Sequence, residues 1–285
     1  MTRLSFQSLM CMKTFLLIPA VLFVILFNSC KKDHSSDLKP NLNVADNIVI
    51  AEEAYNHIAL MTIRSLADPL LKTQGHISLD SGYVIYDSVE NKMYMYYFNK
   101  LSQDSIARQG TVEVQMYGNI LLKGSYAGVR FTNYSCDMNI VTGNDSLVNA
   151  GTGPDGKMIF VNFITEGVIT QLTNFSILWQ SSNRFKVDPS VFINCPGNYF
   201  VLISGDATGT STKGYAFTAA ISDSLIYKSE CPWLAGDKIN MGIPGMDIPT
   251  GQIRFNTVNS CSDDMEYDFE GNIYYTRMNI LYLKH

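Results

Sequence analysis

From about residue 75 onward the chain consists of short β-type runs separated by turn signals, and this pattern limits the folds open to it. The runs are rich in Ile, Val, Tyr, Phe and Thr, which favour extended strands. Gly-Asn-Asp at 143–145, Gly-Pro-Asp-Gly at 153–156 and Glu-Gly-Asn at 270–272 are typical of hairpin turns. Because no second segment of helical period supplies crossovers, we expect an antiparallel meander. The clearest runs are 83–86, 93–98, 111–117, 128–134, 158–163, 167–172, 175–180, 199–204, 215–221, 252–257 and 272–283.

Several of these runs alternate apolar and polar residues, as in 111–117 and 264–270. One face of such a sheet is apolar and must be covered by a second layer. The fold class expected is therefore mainly β: a curved sheet, a half-barrel or a sandwich, with one N-terminal amphipathic helix. The acidic residues between 264 and 270 fit strand alternation better than a calcium loop, which needs a tight turn with Gly at its sixth position.

The one segment of helical period runs from Asp46, a suitable N-cap, to the residue before Pro69. Its role is predicted to be covering an apolar sheet face or plugging an open end. Its polar side carries two Glu and a single Arg, whereas a membrane-surface helix usually carries Lys or Arg there. The apolar positions are Ala51, Ala54, Tyr55, Ile58, Met61 and Leu66, and the polar ones are Glu52, Glu53, Asn56 and Arg64.

The N-terminal segment is predicted to be an export signal. Lys13 precedes an uncharged apolar run from 15 to 27, shorter than the ~20 residues of a spanning helix. Ser29-Cys30-Lys31 follows and is similar to the lipobox of Bacteroidota lipoproteins. The resemblance implies cleavage before Cys30, acylation of Cys30, and attachment to the cell envelope, most simply the outer membrane. We expect Met12 to be the true start.

The domain organisation follows from these segments. Residues 1–29 are predicted to be the signal peptide, 30–45 a polar tether, and 46–285 a β-rich domain with its helix. A net charge of −5 argues against a nucleic-acid partner.

Four of the six cysteines belong to the exported body. An even number in an oxidising compartment allows two disulfides in three pairings. Cys231 with Cys261 is the favoured pair, because the stretch between them is predicted to double back as strands. The alternative is buried free thiols, since a domain of this size needs no staples. The four are Cys136, Cys195, Cys231 and Cys261.

No catalytic constellation is visible in the sequence. The four histidines form no His-x-x-x-His pair, and no Cys-x-x-Cys occurs, so neither a metal nor another cofactor is expected. Gly124-Ser-Tyr-Ala-Gly128 has its serine one place too early for a nucleophile elbow. The glycines at 205, 209 and 214 fit a hairpin loop better than a phosphate loop. We therefore expect no enzymatic activity.

The last third carries a second resemblance. Gly205–Gly209, Cys231-Pro-Trp233, Cys261-Ser-Asp263 and Gly271 are similar to a C-terminal module of uncharacterised Bacteroidota lipoproteins. The resemblance implies an elongated or half-barrel antiparallel body and no particular activity. This chain departs from the module, because it has Cys-Ser-Asp where the module has Cys-Asp.

Three functional hypotheses remain. The first is a binding or structural lipoprotein that holds a glycan, a protein or another surface component. The second is a lipid or lipoprotein carrier, whose helix would close an apolar concavity. The third is a hydrolase with an unrecognised site. Aromatic residues, among them 93–98, Trp179 and Trp233, are candidates to line a groove, although most aromatic residues of a β protein fill its core.

Overall fold

The computed structural model describes residues 39–79, 81–102, 104–194, 199–257 and 260–278. The predicted export signal, Cys30 and Cys195 lie outside these residues, so the predictions that concern them stay predictions.

The fold is a single antiparallel sheet of 15 strands with helices at its start and in one loop. The strands pair in chain order from β1 to β10 and then from β12 to β15, while β11 pairs with β10 outside this path. The predicted antiparallel meander is confirmed, and the sheet is open rather than closed on itself. The helices are α1 (Lys39–Ala67), α2 (Pro69–Gln74) and α3 (Val191–Asn194). The strands are β1 (His76–Leu79), β2 (Gly82–Asp87), β3 (Lys92–Leu101), β4 (Ala107–Tyr117), β5 (Tyr126–Cys136), β6 (Asn139–Thr152), β7 (Met158–Thr170), β8 (Ser176–Val187), β9 (Phe200–Thr210), β10 (Ala216–Lys228), β11 (Cys231–Gly236), β12 (Lys238–Gly242), β13 (Thr250–Phe255), β14 (Asp264–Phe269) and β15 (Asn272–Arg277).

Helix α1 is the centre of the core, and the sheet curves around it. The helix has 29 residues and is therefore about 43 Å long. Tyr55 Oη donates to the carbonyl of Thr142 in β6 at 2.7 Å, and Tyr267 Oη of β14 donates to Asp46 Oδ1 at 2.9 Å. Strands far apart in the sheet thus contact one helix. Among the described residues, no helix has the length and apolar character needed to cross a membrane.

The helix begins earlier than predicted, at Lys39 instead of Asp46. The residues assigned to the end of the polar tether are helical because they have partners in the β-rich part of the chain. Asn41 Nδ2 donates to the carbonyl of Ile248 at 2.8 Å, and Val44 is fully buried. Pro40 is tolerated because the N–H groups of the first helical turn have no acceptor within the helix, so no hydrogen bond is lost at proline. The predicted end before Pro69 is confirmed, since α1 stops at Ala67.

The side of α1 predicted to be polar and exposed is enclosed as well. Glu52, Glu53 and Asn56 are all buried. These polar side chains face partners instead of solvent, because the curved sheet supplies Asn183 and Arg108 on that side.

Glycine positions explain the largest errors in the predicted strands. Gly143-Asn144-Asp145 is a bulge inside the long strand β6 and not a turn, with Gly143 at φ 136°. A Cβ on Gly143 would lie 2.8 Å from the Cα of Gly167, so the close approach of β7 requires glycine there. Likewise Gly205 and Gly209 lie within β9, and only Gly214 belongs to a hairpin turn.

The disulfide joins Cys231 and Cys261, whose Cα atoms are 5.6 Å apart. This is the pairing that the sequence analysis favoured. It fastens β11, the strand outside the main pairing path, to the segment that precedes β14. Cys136 is a buried free thiol, and burial raises its pKa to about 11.

Candidate functional site

Aromatic side chains form a continuous strip on the outer face of the sheet, opposite α1. We define the outer aromatic strip as Tyr83 of β2 with Tyr94, Tyr96 and Phe98 of β3. The alternate residues Met93 and Met95 are fully buried on the inner face. The strip therefore follows from strand periodicity, which places every second residue of β3 outside.

The rings of the strip stack on one another. The Tyr83 and Tyr96 rings, which are directly cross-strand, have centroids 4.9 Å apart and an interplanar angle of 25°. The Tyr94 and Tyr96 rings are 6.3 Å apart at 26°, and the Tyr83 and Phe98 rings are 5.3 Å apart at 42°. Phe98 is 50% exposed, and Tyr83, Tyr94 and Tyr96 are half-buried. Four contacting rings on two neighbouring strands give this face a partly apolar platform.

A polar groove adjoins the strip on the same face. It has a volume of about 440 Å³ and is lined by residues of β3 to β6, including Lys92, Glu113, Gln115, Arg130 and Asn144. Glu113 is cross-strand to Tyr94 on one side and to Arg130 on the other, so the strip and the groove are continuous. At the far wall of the groove, Tyr117 stacks on Tyr126 with centroids 4.5 Å apart.

The groove exists because β5 and β6 separate. Their pairing stops after Val129 with Asp145 and resumes at Ser135 with Ile140. The bulge at Gly143 lies opposite this interruption. Positively charged, negatively charged and amide side chains therefore surround a concavity beside the outer aromatic strip.

The two tryptophans do not form such a platform. Trp179 is 1% exposed and packs near Phe217, with ring centroids 5.9 Å apart. Trp233 is half-buried in β11. The structure does not bring the two tryptophans together. The run 93–98, which was also predicted to line a groove, lies on β3 and supplies three rings of the outer aromatic strip.

A second polar site lies inside the fold, in a cavity between α1, the first strands and the β10–β11 turn. The cavity has a volume of about 40 Å³, enough for an ion or one to two water molecules. His57 and Arg64 of α1 line it, together with Asp104, Tyr227 and Cys231. The curvature of the sheet brings β10 and β11 close to the strands at its other end.

We define the buried cluster as Glu53, His57, Asp104 and Arg108. Arg108, which is fully buried, donates from Nη2 to Glu53 Oε1 at 3.0 Å and to Asp104 Oδ2 at 2.6 Å. His57 Nε2 is buried without a hydrogen-bond partner among the described residues. One guanidinium thus faces two carboxylates and an imidazole.

Burial dominates the electrostatics of the buried cluster. It raises the pKa of Glu53 to about 7, against the opposing effect of the Arg108 charge. It also lowers the pKa of His57 well below its ordinary value, and the charges of Arg108 and Arg64 lower it further. At neutral pH the imidazole is therefore neutral and keeps a lone pair free.

A third concavity lies at the C-terminal end of α1. It has a volume of about 360 Å³ and a mixed lining that includes Leu66, Leu71, Met116, Ile120 and Lys72. Its size is in the range of small-molecule sites. The rest of α1 is packed against the sheet, and 22 of its 29 residues are buried, so the helix does not cover a long apolar cavity.

The sequence analysis missed the buried cluster, although one signal was present. Glu53 and His57 are four residues apart, which places both on one side of a helix. The second acid, Asp104, lies far away in sequence and is brought there only by the fold.

Comparison with protein families, with curated proteins and with solved structures finds no match to this chain.

Proposed function

We propose that this protein is a membrane-anchored lipoprotein of the cell envelope that binds a glycan on the outer face of its sheet and has no enzymatic activity of its own. The observation that carries the proposal is the outer aromatic strip beside the polar groove. The anchor rests on the sequence around Cys30 and its similarity to a lipobox.

The chemistry of the outer face suits a sugar polymer. Aromatic faces and edges pack against the apolar C–H surface of a pyranose, and carboxylate, amide and guanidinium groups bond its hydroxyls. The strip offers the first kind of contact, and Glu113, Gln115, Arg130 and Asn144 offer the second. A ligand that extends across β2 to β6 would use both.

The interior of the fold is less suited to carrying a lipid, because α1 occupies it. A lipid carrier needs a connected apolar cavity, whereas the residues of α1 from Val44 to Ile63 are packed against the sheet. The outer face is the part of the sheet that is left free to bind.

Cross-strand aromatic pairs also occur for purely structural reasons, where they contribute about 0.2–1 kcal/mol each. Affinity electrophoresis through gels that contain soluble envelope or dietary polysaccharides separates the two explanations. We expect the wild-type protein to be retarded by at least one of them. Tyr96→Ala should weaken that binding about 10-fold, equivalent to about 1.4 kcal/mol.

Tyr275→Ala is the matched control, because Tyr275 is 81% exposed on β15, outside the strip. It should bind like the wild type. Retardation by no polysaccharide, or equal retardation of the two variants, would contradict the proposal.

The anchor has a separate test. Cys30→Ser should abolish labelling by a radioactive or clickable fatty acid and release the protein from membranes. Ser29→Ala, which keeps a small residue before the cysteine, should leave labelling intact. Continued labelling of the Cys30→Ser variant would refute the anchor without touching the glycan site.

A second candidate function is suggested by the concavity at the end of α1, which is the part of the structure that best suits a small apolar ligand. A fluorescent fatty-acid analogue would report such binding. Leu121→Arg, at the partly exposed rim, should block it. Absence of a fluorescence change would remove this candidate.

A further inference from the structure

The geometry points to a binding site for a divalent first-row metal ion, with Zn²⁺ the best fit, formed by Glu53, His57 and Asp104 beside the small cavity that His57 and Asp104 line. One potential ligand atom from each of these residues lies within 4.8 Å of the others. The inference is independent of the proposed glycan site, which lies on the opposite face of the sheet.

Two separate elements of the fold hold the three ligand groups. Glu53 and His57 are one turn apart on α1, and Asp104 comes from the segment before β4. Asp104 is itself fixed, because its Oδ1 accepts from the backbone N–H of Ile106 at 3.0 Å. A site built by a central helix and a rigid loop needs little rearrangement on binding.

The donor set matches the chemistry of zinc. One imidazole nitrogen and two carboxylates leave the fourth position of a tetrahedral site to water. Zinc bonds of about 2.1 Å set the ligand atoms roughly 3.4 Å apart, so side-chain rotations that move these atoms by about 1 Å close the site. The cavity of about 40 Å³ beside His57 and Asp104 has room for the water that would complete the coordination.

Two further observations support a cation here. His57 Nε2 is shielded from solvent and lacks a hydrogen-bond partner among the described residues, which is costly for a buried polar atom. Glu53 and Asp104 are two carboxylates that share one ion-pair partner, Arg108.

Arg108 is compatible with the ion as an orienting group. Its Nη2 uses Oε1 of Glu53, and Oε2 of the same carboxylate accepts no hydrogen bond within the described part of the chain. Carboxylates that ligate metals are commonly hydrogen-bonded through their other oxygen. Arg108 Nη1 is held in turn at 3.1 Å from Ser102 Oγ.

The test is titration of the purified, metal-free full chain with Co²⁺, whose visible d–d absorption reports protein ligands, and with Zn²⁺ by calorimetry. We expect one equivalent to bind. His57→Gln and Glu53→Gln should each weaken binding at least about 10-fold, the smallest loss usual even for groups that only orient a ligand.

His76→Ala is the matched control, because His76 is exposed on β1 away from the cavity. It should bind like the wild type. Circular dichroism and thermal melting establish that each variant is folded, and Glu53→Gln preserves side-chain volume if His57→Gln does not fold. No d–d band, or equal binding by the folded variants and the control, would overturn the site.

Discussion

Asn183 of β8 donates from Nδ2 to Glu52 Oε2 of α1 at 2.7 Å, although the two residues are 131 positions apart. The same nitrogen lies 2.9 Å from Asn56 Oδ1, one helical turn further along. All three residues are buried. This contact fixes both the rotation and the height of α1 against the middle of the sheet.

Asn183→Ala should lower the free energy of unfolding by about 1–3 kcal/mol, because the buried Asn56 Oδ1 would lose its donor and Glu52 Oε2 would keep only the bond from Asn56 Nδ2. Urea denaturation measures the change. Asn240→Ala is the control, since Asn240 is partly exposed and its amide bonds the surface side chains of Ser222 and Gln252, and its effect should stay within about 0.5 kcal/mol. Equal effects of the two variants would mean that Asn183 does not hold the helix.

Loss of the disulfide should destabilise the fold by about 3–4 kcal/mol, the value expected from loop-closure entropy for a separation of 30 residues. Thermal or urea unfolding of the double variant Cys231→Ser with Cys261→Ser measures the loss. Reducing agent should bring the wild type to the stability of this variant and leave the variant unchanged. A reduced wild type as stable as the oxidised one would contradict a stabilising role.

Asp145 should make stability depend on pH. Its side chain is 5% exposed, and its Oδ2 has no hydrogen-bond donor among the described residues. With the Asn162 amide oriented to satisfy both of its polar atoms, Nδ2 donates to Asp145 Oδ1 at 2.7 Å. Burial nevertheless raises the pKa of Asp145 well above its ordinary 3.8.

A carboxyl group with a raised pKa in the folded state contributes stability that is complete below the ordinary value and is lost as the pH rises towards the folded value. Asp145→Asn should therefore flatten the decline in stability above pH 3.8. At neutral pH it should stabilise the protein by roughly 1–3 kcal/mol. Chemical unfolding across a pH series tests this. Asp223→Asn, at an exposed position, should change little, and a decline as steep in Asp145→Asn as in the wild type would show that Asp145 is not its source.

The architecture could be predicted from the sequence because strand period and helical period are local. The alternation in 111–117 and the single helical segment were enough to predict an antiparallel sheet with one helix. What could not be predicted was how far the sheet encloses that helix. Glu52 and Glu53 appeared to be solvent-facing because their partners, Asn183 and Arg108, are distant in sequence.

Glycine was the main local ambiguity. Gly-Asn-Asp at 143–145 fits a turn and a bulge equally well from the sequence, and only the neighbouring strand decides between them. The same applies to Gly205, where an added Cβ would lie 2.4 Å from the carbonyl oxygen of Ser182. In both places the sequence shows the glycine, but the close contact that requires it comes from a neighbouring strand.

Of the candidate sites, only part was visible in the sequence. The run 93–98 was recognised as a possible groove, and alternation places Tyr94, Tyr96 and Phe98 on the outer face. The stacking of Tyr83 on Tyr96 depends on the register of β2 with β3, which no local pattern specifies. The assembly of Asp104 with Glu53 and His57 depends likewise on the curvature of the sheet.

Hydroxyl-radical footprinting, read by mass spectrometry with and without a polysaccharide that retards the protein, tests directly whether the outer aromatic strip binds a glycan. The polysaccharide should protect Tyr83, Tyr94 and Tyr96 from oxidation and leave Tyr275 unchanged. Unchanged oxidation of the strip, with protection confined to other residues, would contradict this binding site.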